Sequence, residues 1–363
     1  MRPLLRRGVD VSASLPPLPE ASARHANSFD GLRLLAALMV LFSHAYPLRG
    51  IVEQEPILRV TEGLSFGSIA VAIFFAISGY LVSFSWQRDP DVGRFLLRRA
   101  LRIVPGLACL SLITFLLVGP WLTTLTVADY FRDPRSWRYL LNVFMYPVQH
   151  HLPGVFADNP YPEAVNGSLW TLRLEFSFYL IVAFVGWCGV WRLRGSAFAA
   201  TALSLLALVG FYQVDTFRDA PLFRQATLVF ANAIPFFGGA MLARREMGFA
   251  RSGWLVAAFA ALLALSFGTV AFKYLVPLAV PFFVMFVALR LKADFSRTGD
   301  YSYGFYLWAF LVEQCLMRLF PSLGFLAFLA WSAAITLALA VLSWHLVEKR
   351  ALQWKPKAPP KPV

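Results

Sequence analysis

Two side chains that can carry charge, Arg33 and His44, interrupt the first long apolar segment of the sequence. Their spacing leaves a residual rotation of only about 20°, so both side chains project from one face of a helix. The helix separates them by about 16 Å along its axis. Two such groups on one face predict a polar pathway across a membrane. The alternative is that Arg33 snorkels to lipid headgroups and His44 makes a structural hydrogen bond.

Glu175 is the third candidate, because an ionisable group at membrane depth is a functional-site hypothesis by default. It lies about 10 Å along a helix that begins near Ser168, at a depth comparable to that of His44. A carboxylate beside an imidazole predicts a general-base pair in which Glu175 fixes the tautomer of His44. A structural ion pair between Glu175 and Arg173 is the alternative.

Two other carboxylates are weaker candidates. Glu313 lies in a later apolar segment and has a potential partner in Arg318. Asp30 precedes Arg33 by one helical turn, so helix capping and an ion pair with Arg33 account for it.

Three arginines, Arg98, Arg99 and Arg102, open the third apolar segment. Ordinary anchoring at a membrane surface explains them, but guanidinium groups close to Arg33 would also bind a polyphosphate. In the second segment, the small residues Ser78 and Gly79 permit close helix packing or narrow a channel for a thin ligand.

The elements that position these residues follow from composition. The chain has 363 residues, of which 58% are hydrophobic and 15% charged, whereas soluble domains average about 45–50% and about 25%. Soluble, disordered and fibrous classes are therefore excluded. We expect an all-α polytopic membrane protein with about ten transmembrane helices. The candidate spans are 31–48, 64–86, 101–121, 168–190, 197–214, 225–243, 253–271, 274–290, 302–320 and 323–346.

The net charge of +13 does not indicate nucleic acid, because most Lys and Arg residues fall in alternate, short connections. The positive-inside rule then places both termini in the cytoplasm. We expect a disordered cytoplasmic tail over 1–27, a transmembrane domain over 28–350 and a basic cytoplasmic tail over 351–363. The connection 122–167 is long and extracytoplasmic, and we expect it to pack as a lid.

Cysteine chemistry contributes little. Cys109, Cys188 and Cys315 all lie in apolar segments and offer neither a disulfide framework nor metal-ligand spacing. We expect no metal to be required.

Several stretches in order resemble the acyltransferase-3 family of integral membrane proteins. They cover about residues 28 to 350 and comprise Asp30 to Arg33 with His44, Phe74 to Leu81, Arg98 to Pro105, Val165 to Leu172 with Glu175 and Tyr179, Ser302 to Trp308, and His345 to Lys349. The chain departs from the family at Ala309, where many relatives place a histidine, and at Arg173, where a smaller or neutral residue is common.

The resemblance implies transfer of an acyl group, commonly acetyl, from cytoplasmic acyl-CoA to a glycan, in the bacterial inner membrane. By resemblance, His44 and Arg33 are essential residues and Arg98 and Arg102 bind the donor. Glu175 carries over as catalytic and Ser78 as donor-binding.

We therefore predict a membrane O-acyltransferase whose partners are acyl-CoA, a glycan or lipid-linked saccharide acceptor and membrane lipids. His44 would take the proton of the acceptor hydroxyl. The competing interpretation is a transporter or flippase that moves a lipid-linked sugar or anionic solute along the same charged path.

Overall fold

The computed structural model describes residues 21–61, 63–162, 164–213, 221–244, 252–290 and 299–356, with the side chains of 21–27, 212, 213 and 221 left aside. Over these residues the protein is helical and contains no strand beyond an isolated bridge between Thr123 and Val155. The prediction of an all-α fold is confirmed.

Twelve helices can be followed through the described ranges, and α3 and α12 each include one π-helical turn, at Thr114–Val118 and Trp344–Glu348. In chain order they are α1 (Ala21–Leu48), α2 (Phe66–Arg88), α3 (Val92–Leu122), α4 (Val127–Arg132), α5 (Pro134–Arg138), α6 (Leu169–Trp187), α7 (Ser196–Gln213), α8 (Pro221–Ala243), α9 (Gly253–Ser266), α10 (Val270–Arg290), α11 (Ser302–Leu319) and α12 (Phe325–Leu352).

Within the described part of the chain, 7 helices are long and apolar enough to cross a membrane: α1, α2, α3, α6, α8, α10 and α12. The chain is therefore a multi-pass membrane protein. Each of the other three predicted spans also coincides with a helix. Two of these, α7 and α9, are apolar but shorter, and α11 carries the charged Glu313 and Arg318. The count of about ten crossings and the N-in, C-in orientation stay predictions.

The predicted tails fall largely outside the described residues. Helix α1 begins at Ala21, so residues 21–27 are helical and extend the first membrane helix. Residues 1–20 and 357–363 are not among the described residues. At the other end, α12 continues past the predicted span as far as Leu352.

The long connection 122–167 is a packed structure. It contains α4, α5 and a 3₁₀ helix at Tyr139–Phe144. Asn159 donates to the side-chain oxygen of Gln314 at 2.7 Å, and Asn166 donates to the carbonyl of Leu307 at 2.9 Å. These bonds fasten the connection to α11, and its role as a lid stays a prediction.

Two glycines allow α2 and α8 to pack in close contact. A Cβ atom at Gly79 would overlap the carbonyl of Phe236, and one at Gly239 would overlap the carbonyl of Ala76. The expected role of Gly79 in close helix packing is therefore seen at the α2–α8 crossing. Its neighbour Ser78 projects from another face of α2, since successive helical residues are rotated by about 100°.

Candidate active site

One cavity, here called the arginine cavity, has a volume of about 290 Å³ and lies among α1, α2, α3, α6, α11 and α12. It lies at the end of the bundle that the sequence predicts to be cytoplasmic. Its lining combines several cations with hydroxyl groups and two carboxylates. The polar residues that line it include Arg33, Ser78, Arg99, Arg102, Glu175, Tyr179, Asp300, Tyr303 and Lys355.

Asp300 organises the cationic side of this cavity. Arg33 donates from Nη1 to Oδ2 of Asp300 at 3.4 Å and to Oδ1 of Asp30 at 2.9 Å. Arg102 donates from Nη2 to the same Oδ2 of Asp300. Ser302 donates from Oγ to Oδ1 of Asp300 at 2.5 Å, which fixes the carboxylate at the start of α11.

The charge on Asp300 is secured by these partners. Burial raises the pKa of the Asp300 carboxyl, but the positive charges of Arg102 and Arg33 outweigh burial and hold the pKa at about 2. The negative charge of Asp300 thus offsets the repulsion between the two guanidinium groups at the cavity.

Arg98 and Arg99 are adjacent in the sequence, but their side chains make different contacts. Arg98 donates to Oδ2 of Asp89 at 2.8 Å, and Arg94 donates to the same carboxylate at 2.7 Å. Arg99 lines the arginine cavity, and its guanidinium group lies 5.9 Å from the centre of the Tyr179 ring. The expected donor-side arginines are therefore divided, with Arg102 in the cavity lining and Arg98 at the α2–α3 connection.

Asp89 is the partner that fixes this connection. Hydrogen bonds from Arg94 lower the pKa of its carboxyl, burial opposes them, and further contacts with Arg98 bring the pKa to about 2. Asp89 is 2% exposed, so its two arginine partners compensate a carboxylate that would otherwise be buried without a counter-charge.

Glu175 also lines the arginine cavity. Its Oε1 accepts hydrogen bonds from Ser78 Oγ at 2.8 Å and from the hydroxyl of Tyr179. The Ser78 and Tyr179 hydroxyl oxygens are themselves 3.1 Å apart. The three side chains form a hydrogen-bonded cluster that joins α2 to α6, and neither expected partner of Glu175, His44 or Arg173, belongs to it.

A second cavity contains His44 and is here called the histidine cavity. Its volume is about 420 Å³, and its lining is contributed by α1, α2, α6, α7, α8, α10, α11 and the segment between α1 and α2. His44 Nδ1 is buried and has no hydrogen-bond partner among the described residues. The imidazole packs edge-on against Phe310, with ring centres 5.2 Å apart. Other polar or aromatic lining residues are Ser43, Glu55, Ser65, Ser68, Ser168, Trp170, Thr227, Asn232 and Lys273.

The expected general-base pair of His44 and Glu175 is corrected by this arrangement. Glu175 lines the arginine cavity and His44 lines the histidine cavity. The two side chains therefore line different cavities, and the common depth of the two groups stays a prediction.

The two cavities adjoin at three residues. Val71, Thr171 and Tyr306 line both of them. Helix α1 runs past this junction, with Arg33 in one cavity and His44 in the other. The two charged residues of α1 thus line two cavities that share part of their walls, and a continuous pathway between them stays a prediction.

Glu55 is a site-forming residue that the sequence did not reveal. Its carboxylate is 1% exposed and accepts from the backbone of Leu58 and Phe66, each at 2.6 Å, and from Ser43 Oγ at 3.3 Å. It ties the segment after α1 to the first turn of α2 and to the residue before His44. Nothing in its local sequence distinguishes it from an exposed loop glutamate.

The remaining buried carboxylates also differ from expectation. Arg318 pairs with Asp158 at 3.5 Å rather than with Glu313, and both oxygens of Glu313 are buried without a hydrogen-bond partner among the described residues. Glu348, in the closing motif of the sequence, lies 4.0 Å from Arg102 and accepts from Ser343. It joins α12 to the wall of the arginine cavity.

Metal ligation is not a feature of the described residues, where no group of three His, Cys, Asp or Glu side chains is arranged to hold an ion. The absence of a metal requirement stays a prediction. Cys109, Cys188 and Cys315 are free thiols.

Comparison with known proteins gives a family and several relatives. A family profile described as an acyltransferase domain matches residues 26–345. An O-acetyl transferase of Shigella phage Sf6 is 33% identical over 333 residues, which span 90% of this chain and 96% of the relative. Nodulation protein 10 of Rhizobium leguminosarum bv. viciae is 26% identical, with 93% and 96% covered. Acyltransferase MdmB of Streptomyces mycarofaciens is 28% identical, with 88% and 87% covered. No solved structure matches the chain.

Proposed function

The chain belongs to the acyltransferase-3 family and is a membrane acyltransferase, and from this premise we propose that it transfers an acetyl group from cytoplasmic acetyl-CoA to a hydroxyl of a cell-surface or exported glycan. The observation that carries the proposal is the junction at Val71, Thr171 and Tyr306, where a cation-lined cavity meets a cavity that contains an imidazole. A donor and an acceptor that enter from opposite sides would meet there.

The arginine cavity suits the donor. The phosphates of coenzyme A cannot enter hydrocarbon, so they require cations at the membrane edge. Arg33, Arg99 and Arg102 supply guanidinium groups, which bind phosphate oxygens in a bidentate manner. The thin pantetheine arm would then pass the Ser78–Glu175–Tyr179 cluster and bring its thioester to the junction.

Arg98 has a different part in this proposal from the one its sequence position suggests. It is bound to Asp89, so we assign it to the α2–α3 connection, where it holds Asp89 together with Arg94. Arg99 takes its place at the phosphates. Ser78 keeps its predicted donor-binding role as part of the cavity wall. Glu175 is reassigned from a catalytic partner of His44 to a positioning group for the donor arm.

The histidine cavity suits a saccharide acceptor. Trp170 offers an aromatic face, and Ser65, Ser68 and Asn232 offer polar groups. As the acceptor oxygen bonds to the thioester carbon, its proton passes to neutral His44. The carbon–sulfur bond breaks, and the proton is returned to the departing thiolate. The products are the acetylated hydroxyl and free coenzyme A.

The relatives support the acyl group and the location. One is named an O-acetyl transferase, which favours acetyl, and the bacterial and phage sources of the relatives favour a bacterial inner membrane. With the predicted N-in orientation, the arginine cavity opens to the cytoplasm, where acetyl-CoA is made, and the histidine cavity opens to the outside.

The test is a transfer assay with the full chain in detergent or nanodiscs. We expect acetyl-CoA and a bacterial polysaccharide acceptor to yield free coenzyme A and labelled acetyl ester in equal amounts. His44→Ala should reduce the rate by about 10²-fold or more and retain the fold, whereas His151→Ala, which changes an exposed histidine of the lid, should not. A transporter or flippase would release no coenzyme A, and that result would refute the proposal.

A further inference from the structure

We propose that the hydroxyl of Tyr306 is the hydrogen-bond donor that stabilises the thioester carbonyl oxygen during transfer, with Thr171 as its positioning residue. This inference rests on the proposed function, because it concerns the point at which donor and acceptor would meet. It assigns a hydrogen-bond donor to the negative charge that develops on the carbonyl oxygen. In the proposed mechanism His44 takes the acceptor proton and the arginines bind the phosphates, so neither stabilises that charge.

The position of Tyr306 is the first support. Of the three residues that line both cavities, Val71 is apolar, so Thr171 and Tyr306 supply the polar side chains of the junction. A thioester carbon that is attacked from the histidine cavity while its sulfur leaves into the arginine cavity has to lie beside these hydroxyl groups. The arginines that surround Asp300 remain with the phosphates.

The hydrogen bonds of Tyr306 are the second support. Its hydroxyl lies 2.5 Å from Thr171 Oγ1 and 3.1 Å from the carbonyl oxygen of Ser168. Thr171 Oγ1 is also 3.0 Å from the Ser168 carbonyl. A hydroxyl has one proton and two acceptor lone pairs. When Thr171 donates to the Tyr306 oxygen, the Tyr306 proton is free to leave the Ser168 carbonyl for a ligand.

The surroundings of Tyr306 make such a bond strong. Its side chain is 7% exposed, and the Phe74 ring packs against it with centres 5.4 Å apart. Little water can compete at this point, and a donor aimed at a developing charge in a water-poor site is worth far more than in solution. The backbone of Ser168 holds the proton in place until a carbonyl oxygen replaces it.

The chemical step balances without another reactant. As the acceptor oxygen bonds to the carbonyl carbon, the carbonyl oxygen gains negative charge and accepts the Tyr306 O–H bond. The acceptor proton moves to His44. When the carbonyl re-forms, the carbon–sulfur bond breaks, the thiolate takes the proton from His44, and Tyr306 keeps its own proton throughout.

The experiment compares tyrosine-to-phenylalanine variants of the full chain. Tyr306→Phe is expected to lower kcat by about 10²-fold with the KM for acetyl-CoA within about twofold of the wild-type value. Tyr130→Phe is the matched control, since Tyr130 is also buried and donates to a backbone carbonyl, that of Phe115, at 3.0 Å, but lies outside both cavities. It is expected to keep the wild-type kcat.

Variants at Thr171 separate a chemical role from a structural one. Thr171→Val removes the donor to Tyr306 and is expected to lower kcat about tenfold, whereas Thr171→Ser keeps the hydroxyl and should restore most of it. If Tyr306→Phe does not fold, this pair decides the question. A wild-type kcat in Tyr306→Phe would overturn the inference, and so would equal losses in Thr171→Val and Thr171→Ser. In either case an active wild type would still support the proposed function. An inactive wild type would refute the proposed function itself.

Discussion

Arg33 and Arg102 donate to the same oxygen atom, Oδ2 of Asp300, although they belong to different helices. The shared carboxylate holds two cations at one side of the arginine cavity, which both arginines line. A phosphate group entering this cavity would therefore find preformed donors rather than flexible side chains. Preorganised donors bind with less loss of side-chain entropy.

Loss of this carboxylate should weaken donor binding. In Asp300→Ala, Arg33 and Arg102 repel each other and lose their common anchor, so we expect the KM for acetyl-CoA to rise about tenfold and the melting temperature to fall. Asp300→Asn keeps an acceptor for Ser302 and should be the milder change.

The pH dependence of this destabilisation has a definite sign. The pKa of Asp300 is lowered to about 2 in the folded protein, so its ion pairs stabilise the fold above the ordinary pKa of about 4 and are lost only as the pH falls towards the lowered value. The melting-temperature difference between wild type and Asp300→Ala should therefore persist at about pH 5.5 as well as at about pH 8. A difference that disappears at the lower pH would contradict the assignment.

Arg98 and Arg99 give a second prediction, because the sequence favours Arg98 at the donor and the geometry favours Arg99. We expect Arg99→Ala to raise the KM for acetyl-CoA about tenfold, the cost of one charge-assisted contact. Arg98→Ala leaves Asp89 with one arginine partner fewer and should act mainly on stability, measured by thermal unfolding in detergent. A larger KM effect for Arg98→Ala than for Arg99→Ala would indicate that the donor binds near Asp89 and not in the arginine cavity.

Lys355 gives a prediction about pH. It lines the arginine cavity, and burial, followed by repulsion from Arg102 and Arg99, lowers its pKa to about 8. As the pH rises through this value the cavity loses a positive charge, so the KM for acetyl-CoA should increase between about pH 7 and about pH 9.

Two variants isolate this effect. Lys355→Arg, whose guanidinium stays charged, should remove the pH dependence, and Lys355→Met should show the high KM at every pH. Lys349→Met serves as control, since Lys349 is an exposed residue near the end of α12. An unchanged wild-type KM over this range would show that Lys355 does not meet the donor.

Glu175 provides a test of the separation between the cavities. Because Glu175 is bonded to Ser78 and Tyr179 and not to His44, Glu175→Gln should leave the acidic limb of the pH profile of kcat/KM in place. The rate itself should fall by no more than about tenfold, since the amide retains an acceptor oxygen for the two hydroxyls. A shift of the acidic limb by about one pH unit or more would indicate that Glu175 pairs directly with the imidazole of His44.

Much of the fold was predictable, because apolar segments of helical length are a strong signal. Each predicted span coincides with a helix. The helical period predicts Arg33 and His44 on one face of α1, but their side chains line two different cavities. The period does not tell which side of α3 faces the cavity, so it could not separate Arg98 from Arg99.

The partners of these residues were harder to predict because they come from distant parts of the chain. Asp300 follows a stretch outside the described residues and reaches α1 and α3 only through tertiary packing. Ser78 and Glu175 were each identified, but the bond between them depends on how α2 and α6 pack together. Tyr306 lies in the Ser302 to Trp308 motif, but the motif does not indicate a role for it. The role proposed for Tyr306 follows from its position in the walls of both cavities.

The most direct measurement is a structure of the protein with a non-hydrolysable acetyl-CoA analogue bound. We predict the phosphates beside Arg33, Arg99 and Arg102, and the acyl carbon at the junction of Thr171 and Tyr306, within reach of the histidine cavity. A donor bound elsewhere, or an acyl group separated from His44 by packed side chains, would contradict the two-cavity mechanism.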